Sequence, residues 1–298
     1  TPINIIAILP CIIIRLMSPW IVIRIVRISH VYYSLARELA FYSCKKQLAK
    51  NKPTEKYIDL FYMEPSRLAY NKQLVKMGKR KLNFFSSHLL EPINRVGKFI
   101  PGWEIHTIGM SPTKTRFYSM FNLSPSDLNN LIEKYQPLHF TEKEKLYGKK
   151  MLNKFGLKDG DKFVCLAVRD SAYQLKKIQR RHHDWSYHDY RHWDVDNFLL
   201  AAEELTKKGY YVFRMGVVVN KLFKSDNPKI IDYANSSLRS DFLDVFLGAE
   251  CSFCISTAYG FDGVPIIFKR PIVLLILPFG DFPVHSDRFL ILTKHHFF

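Results

Sequence analysis

Apolar positions along this chain fall into short blocks whose period changes, and each change marks an element. Residues 21–28 are a β-branched run that breaks at Ser29-His30, and beyond it Leu35, Leu39, Tyr42 and Leu48 recur at helical spacing. A strand, a tight loop and a helix are predicted. Residues 56–63 give a second strand after a polar linker with Pro53, and the basic stretch 71–82 gives a second helix. Asn83-Phe84-Phe85, residues 89–99 and residues 103–108 make one further unit. Residues 124–140 predict a capped helix and a connection. Thr141-Glu142-Lys143-Glu144 then has the capping-box pattern at the start of a helix running to Leu152.

The second half repeats this order. Residues 162–168 form a nearly continuous apolar run, as expected of a strand buried on both faces. An amphipathic helix (197–208) ends at Gly209, and strands follow at 210–215 and 230–233. A helix at 240–249, a strand at 252–255, a helix or turn at 259–266 and a strand at 271–277 complete the pattern. Strands alternating with helices predict an α/β chain with parallel sheets. At 298 residues there is enough chain for two cores. The expectation is two Rossmann-like domains, 20–137 and 138–298, facing across a cleft and preceded by an apolar segment, 1–19. The chain begins at Thr1 and stops at Phe298 without a closing helix, which suggests a truncated C-terminal end.

The apolar segment is dense in isoleucine but interrupted by Pro10, Arg15 and Pro19. Its longest uncharged run, residues 1–14, is shorter than the roughly 20 residues that cross a bilayer as a helix. With Trp20 and Arg24 beside it, the segment suits an interfacial anchor, and it equally suits a buried strand or helix of the first domain. Composition favours packed structure, with 47% apolar and 14% aromatic residues. Five scattered cysteines in apolar runs fit buried thiols of a reducing compartment. Cys251 and Cys254 form a C-x-x-C with no second ligand pair at metal spacing. Net charge is +17, and residues 1–150 hold 24 Lys/Arg against 10 Asp/Glu, so the first half faces an anionic partner.

Ligands of open parallel sheets bind beyond the carboxyl ends of the strands. The polar residues there are Arg169-Asp170-Ser171-Ala172-Tyr173, Arg214-Met215-Gly216, and Ser256-Thr257-Ala258-Tyr259-Gly260-Phe261-Asp262. Two arginines and a Ser/Thr-rich loop opening a helix would suit a diphosphate. Singly, each of these residues also reads as a salt bridge or a cap. A long loop, 174–196, carries Tyr187-His188-Asp189-Tyr190-Arg191-His192, which can supply a general base, an orienting acid and a stacking surface.

The segments Arg169 to Tyr173, Tyr187 to Arg191, 227–234, Leu238-Arg239-Ser240-Asp241-Phe242 and 254–257 with Gly260-Phe261-Asp262 resemble a poorly characterised bacterial glycosyltransferase family of surface-polysaccharide gene clusters. The resemblance is strong from about 160 to 275. More distantly the chain is similar to fucosyl- and heptosyltransferases of GT-B type. By this likeness Arg169 contacts the donor diphosphate, and Ser256, Thr257 and Gly260 cradle it. Arg239 and Asp241 serve the nucleotide, and Arg27-Ile28-Ser29-His30 is the acceptor-side loop, with Ser29 where related sequences carry glycine. The resulting expectation is a metal-independent glycosyltransferase without cofactor. Its donor site comprises Arg169, Asp170, Tyr173, Tyr187, Arg191, Arg214, Arg239, Asp241, Ser256, Thr257, Gly260 and Asp262, its acceptor side Arg27, Ser29 and His30, and its base His188 or Asp189. The partners expected are a nucleotide-sugar donor, a lipid-linked or polysaccharide acceptor and an anionic membrane surface at the inner, cytoplasmic face. A nucleic-acid binder would show basic residues interleaved with aromatics in one stripe, which this chain lacks. An inactive scaffold for glycan or nucleotide binding would keep the same fold. A phosphate-transferring enzyme would want a G-x-x-x-x-G-K-[ST] loop, and the sequence has none.

Overall fold

A computed structural model describes residues 2–50, 56–65, 70–108, 125–173, 189, 191–258, 260–277 and 286–293. The chain forms two compact units, one of residues 1–70 and 74–137, the other of 71–73 and 138–298. Each has its own parallel sheet.

In the first unit β1 (Val22–Ile28) lies between β2 (Tyr57–Met63) and β3 (Thr107–Ile108). The register of β1 on β2 places Arg24 opposite Asp59. There the guanidinium makes a fork of two bonds, 2.6 and 2.9 Å, to the carboxylate and lies 3.4 Å over the Tyr57 ring. Phe84 bridges Phe61 at the outer edge of β2, through the Phe61 N–H to the Asn83 carbonyl and the Phe85 N–H to the Phe61 carbonyl. The expected third strand is thus reduced to a single bridge, and the sheet keeps the order third, second, first, fourth. The helices of this half are α1 (Pro2–Met17), α2 (Tyr32–Lys50), α3 (Lys72–Lys79), α4 (Ser87–Gly97) and α5 (Pro125–Lys134). The apolar segment 1–19 therefore forms a helix. Ala7, Cys11 and Ile14 pack with Leu90 and Ile93 of α4, Ile25 and Trp103 in one core. The Cys11 thiol donates to the Ile93 carbonyl at 3.3 Å.

In the second unit α6 (Glu142–Lys154) carries the expected capping box: Thr141 Oγ1 accepts from the Glu144 N–H, and Glu144 accepts from the Thr141 N–H. The sheet follows as β4 (Lys162–Ala167), β5 (Tyr210–Arg214), β6 (Ile230–Ile231), β7 (Phe253–Ser256), β8 (Ile272–Leu277) and β9 (Phe289–Thr293). The intervening helices are α7 (Leu199–Lys207), α8 (Asp241–Glu250) and α9 (Gly263–Ile267). All neighbours are parallel and the order is β6-β5-β4-β7-β8-β9, the doubly wound order 3-2-1-4-5-6. β9, whose Phe289 pairs with Ile272, is a strand that the sequence pattern does not predict. Cys251 and Cys254 are buried free thiols on either side of the turn into β7. Burial raises the Cys254 thiol well above its ordinary value.

Between α6 and α8 the packing leaves no room for one methyl group. A Cβ on Gly148 would fall 2.2 Å from the ring of Phe246, which is 3% exposed and stacked on Phe242. Gly148→Ala is expected to cost about 1–3 kcal/mol, the usual cost of overpacking a core. Exposed Lys149→Ala should stay within about 0.5 kcal/mol. Thermal denaturation of the two variants checks this, and equal melting temperatures would contradict the packing described.

Candidate functional site

The strand order of the second unit reverses between β4 and β7, which makes their carboxyl ends the place to look for a ligand. Thr257, 1% exposed, ties the two ends together. Its N–H donates to the Ala167 carbonyl at 3.1 Å, and its Oγ1 accepts the Arg169 N–H at 2.9 Å. The Arg169 carbonyl in turn accepts from the Trp193 N–H at 3.0 Å. The backbone of Arg169 is thereby held at both its N–H and its C=O, while its side chain is only half-buried. His192 lies within its field. Burial first, and the Arg169 charge second, lower the pKa of this imidazole and keep it neutral. Its Nδ1 is 3.2 Å from Asp189 Oδ1, and its buried Nε2 has no hydrogen-bond partner among the described residues. His192 is not among the expected site residues, although it ends the polar run Tyr187 to His192 that the sequence marks as a source of a general base.

Arg214 departs from expectation. It is 1% exposed and lies between two carboxylates, Asp232 at 3.2 Å and Asp170 at 3.8 Å. Both acids are themselves held. Asp170 accepts the Ala172 and Asn220 N–H groups, and Asp232 accepts the Phe223 N–H and the Asn235 amide. Arg214 and Asp170 are thus a strut joining the ends of β4, β5 and β6, where the pattern makes them diphosphate contacts. A cavity of about 190 Å³ beside them is lined by Val168, Trp193, Val195 and Lys221, whose ammonium is paired with Asp194 and Asp196.

The loop after β7 also differs in detail. Ser256 is fully buried, so it and Thr257 shape the loop from within rather than offering hydroxyls to a ligand. Ala258 is left-handed at φ 61°, and Gly260 is exposed with open space where a Cβ would be. A 3-10 turn (Gly260–Asp262) and the five-residue α9 follow, too short to supply the helix dipole expected here. Asp262 is 3% exposed, and its charge reaches Cys254, so it faces the core. Arg239 bonds Asp244 at 2.6 Å, beside the Tyr233 hydroxyl at 2.9 Å from the same carboxylate. Asp241 accepts the Lys72 N–H at 2.8 Å, and its carbonyl accepts the Asn71 amide. Both residues are thus tied into local structure while remaining partly exposed. Arg191 and Tyr173 are half-buried, burial raising the Tyr173 phenol, and Asp189 is exposed. Tyr187 and His188 lie outside the described residues.

At the carboxyl end of β1 in the first unit four ionisable groups meet. Ser29 donates its N–H to Glu38 at 2.8 Å, and its hydroxyl accepts from the Val31 N–H. Its φ is not positive, so glycine is not required there. His30 Nδ1 is 2.8 Å from Glu64 Oε2, and Arg27 stands 3.7 Å from the other Glu64 oxygen. Glu64 is fixed by its own N–H to the Ile28 carbonyl, 2.7 Å. Burial pushes the Glu38 carboxyl up to about 8, with Glu64 adding to the rise and the Ser29 bond opposing it. Neither glutamate is marked by the sequence pattern: Glu38 lies on α2, nine residues from Ser29, and Glu64 follows β2, 34 residues from His30.

Glu38 binds a proton in the folded state that the unfolded chain releases near its ordinary 4.5, so its contribution to stability is present below that value and lost as pH rises to about 8. Glu38→Gln should therefore gain on the parent between pH 5 and pH 9, and denaturant midpoints across that range test it. Arg214→Leu leaves two carboxylates facing each other and should cost about 3–5 kcal/mol, read as the loss of unfolding free energy in urea.

Neither a protein-family model nor a curated protein sequence matches the chain. Solved structures do. The glycosyl transferase family 9 structure from Veillonella parvula superposes at TM-score 0.56 and 14% identity, over 93% of this chain and 88% of that one. The ADP-heptose lipopolysaccharide heptosyltransferase II of Escherichia coli superposes at TM-score 0.51 and 13% identity, over 91% and 89%. At that identity the likeness is one of fold: the chain has the parallel α/β architecture of these glycosyltransferases.

Proposed function

We propose that the chain is a glycosyltransferase of GT-B arrangement, binding a nucleotide-sugar donor on the second unit and an acceptor hydroxyl at the end of β1 in the first. The acceptor is a lipid-linked or growing surface glycan at the inner, cytoplasmic face of the membrane. The observation that carries this reading is the backbone of Arg169, clamped by Thr257 at the point where a 3-2-1-4-5-6 sheet reverses. Its likeness to a structure whose name includes ADP-heptose supports the class of donor.

In this reading the Arg169 guanidinium and the backbone around Ala258 and Gly260 meet the charge that grows on the departing diphosphate, without metal or cofactor. Tyr173, Tyr187 and Arg191 complete the donor side. The base is His30. Its Nδ1 is turned toward Glu64, which fixes the tautomer that leaves Nε2 as acceptor, and Nε2 takes the hydroxyl proton as the new C–O bond forms and the old one to phosphate breaks.

A donor at about a hundred times its dissociation constant should add roughly 2.7 kcal/mol to stability. A panel of nucleoside diphosphates and nucleotide sugars is expected to contain one that raises the melting temperature of the parent and not of Arg169→Ala. His30→Ala should keep that stabilisation and lose transfer by about 10²–10⁴. Stabilisation by oligonucleotides alone would replace the reading with nucleic-acid binding.

A further inference from the structure

We infer that α1 is an interfacial helix whose outer face lies in the headgroup region of an anionic bilayer, holding the first unit on the membrane that carries the acceptor. The choice of a lipid partner rests on the function proposed above.

The helix is apolar on both sides. Ala7, Cys11 and Ile14 form the buried side, and Ile5, Ile6, Leu9, Ile12, Ile13 and Leu16 form the other, with Ile6 74%, Leu9 65% and Leu16 66% exposed. The spacing of the second set, three to four residues apart, places it along one stripe. Trp20, 73% exposed, follows the last turn. Among the described residues no helix is long and apolar enough to cross a membrane, and α1 is held sideways against α4 by its buried stripe. A helix lying in the plane of the interface is the arrangement that uses both stripes.

Charge selects the partner. α1 has no acidic residue in its first turn, and its sequence contains none elsewhere. At its C-terminal end Arg15 bonds the Pro101 carbonyl at 3.1 Å, which brings up the loop carrying exposed Lys98 and Phe99, the latter 85% exposed. A cation and an aromatic side chain at the margin of an aliphatic stripe suit the boundary between acyl chains and headgroups. The excess of basic residues in the first half, 24 against 10, suits phosphate-bearing headgroups. A second copy would bring the same excess of basic residues to the contact, whereas phosphate-bearing headgroups complement it.

The test uses the whole chain and neither donor nor acceptor, so it stands or falls apart from transfer activity. Flotation is measured with vesicles of phosphatidylcholine alone and of phosphatidylcholine with about one third phosphatidylglycerol. The parent should float with the anionic vesicles, and the triple variant Ile6→Ser, Leu9→Ser, Leu16→Ser should bind on the order of tenfold or more weakly. Its circular dichroism and melting temperature should match the parent, because all three side chains are exposed. Trp20 emission, taken as the difference between the parent and Trp20→Phe, should shift to the blue on binding. Equal flotation of parent and variant, or no flotation of the parent, overturns the inference. So does a parent that sediments as a dimer, without floating, where the variant is a monomer; the outer face would then belong to a second copy.

Discussion

The carboxyl ends of β4 and β7 must end in buried surroundings with their backbone groups satisfied, and Thr257 satisfies both. One residue donates its N–H to the Ala167 carbonyl and accepts the Arg169 N–H at Oγ1, so a single threonine ties the two strand ends where the sheet reverses. Much of the second unit's edge depends on that. Because the Arg169 backbone is fixed, its side chain extends from a rigid base, and His192, 19% exposed at its side chain, is held neutral beside it. The Arg214 strut does for β5 and β6 what Thr257 does for β7, holding their ends to Asp170.

The end of β1 in the first unit is arranged differently, by charge rather than by backbone closure. Two carboxyls, Glu38 and Glu64, lie close to the same loop, and both cannot be ionised cheaply in a partly buried setting. Burial settles the question for Glu38 by keeping it protonated up to about pH 8, while Glu64 lies within reach of His30 and Arg27. Glu38 meanwhile accepts the Ser29 N–H and so keeps the loop from drifting off the strand. The loop after β1 is therefore held by one acid whose charge burial suppresses, Glu38, and faced by a second, Glu64.

The strands and helices of both units are legible in the sequence because a doubly wound fold writes its strands as apolar runs and its helices as spaced ones. Even the capping box at Thr141 can be read directly from local spacing. What the pattern does not carry is the difference between a ligand contact and a strut. Arg214 and Arg169 both stand where a strand gives way to loop. Yet Arg214 sits opposite two acids brought in from other strands, and only the fold brings Asp170 and Asp232 to it. The same holds for the partners of Arg239 and Asp241, since only the fold brings Asp241 to the 71–73 segment and Arg239 onto Asp244 beside Tyr233. The dyad of His30 and Glu64 spans 34 residues and has no local signature. β9 lies outside the pattern: its five residues, Phe289–Thr293, are too few to stand out by local spacing, and only the pairing with β8 shows them to be a strand.

The helix α1 shows how a sequence can look locally inconsistent and still be coherent. An apolar helix on the surface of a globular unit would normally turn its second stripe inward, and rotation about its own axis would do so. That rotation is blocked. Cys11 is committed to the Ile93 carbonyl and Arg15 to the Pro101 carbonyl, and the buried side, Ala7, Cys11 and Ile14, already fills the space over α4. Turning the helix would break both bonds and replace small residues such as Ala7 and Cys11 with leucine and isoleucine in a closed core, a change of volume that cores resist. The outward stripe is therefore fixed by the packing beneath it. Exposing it to water carries a cost, and an acyl-chain boundary removes that cost without altering the contacts of Ala7, Cys11 and Ile14.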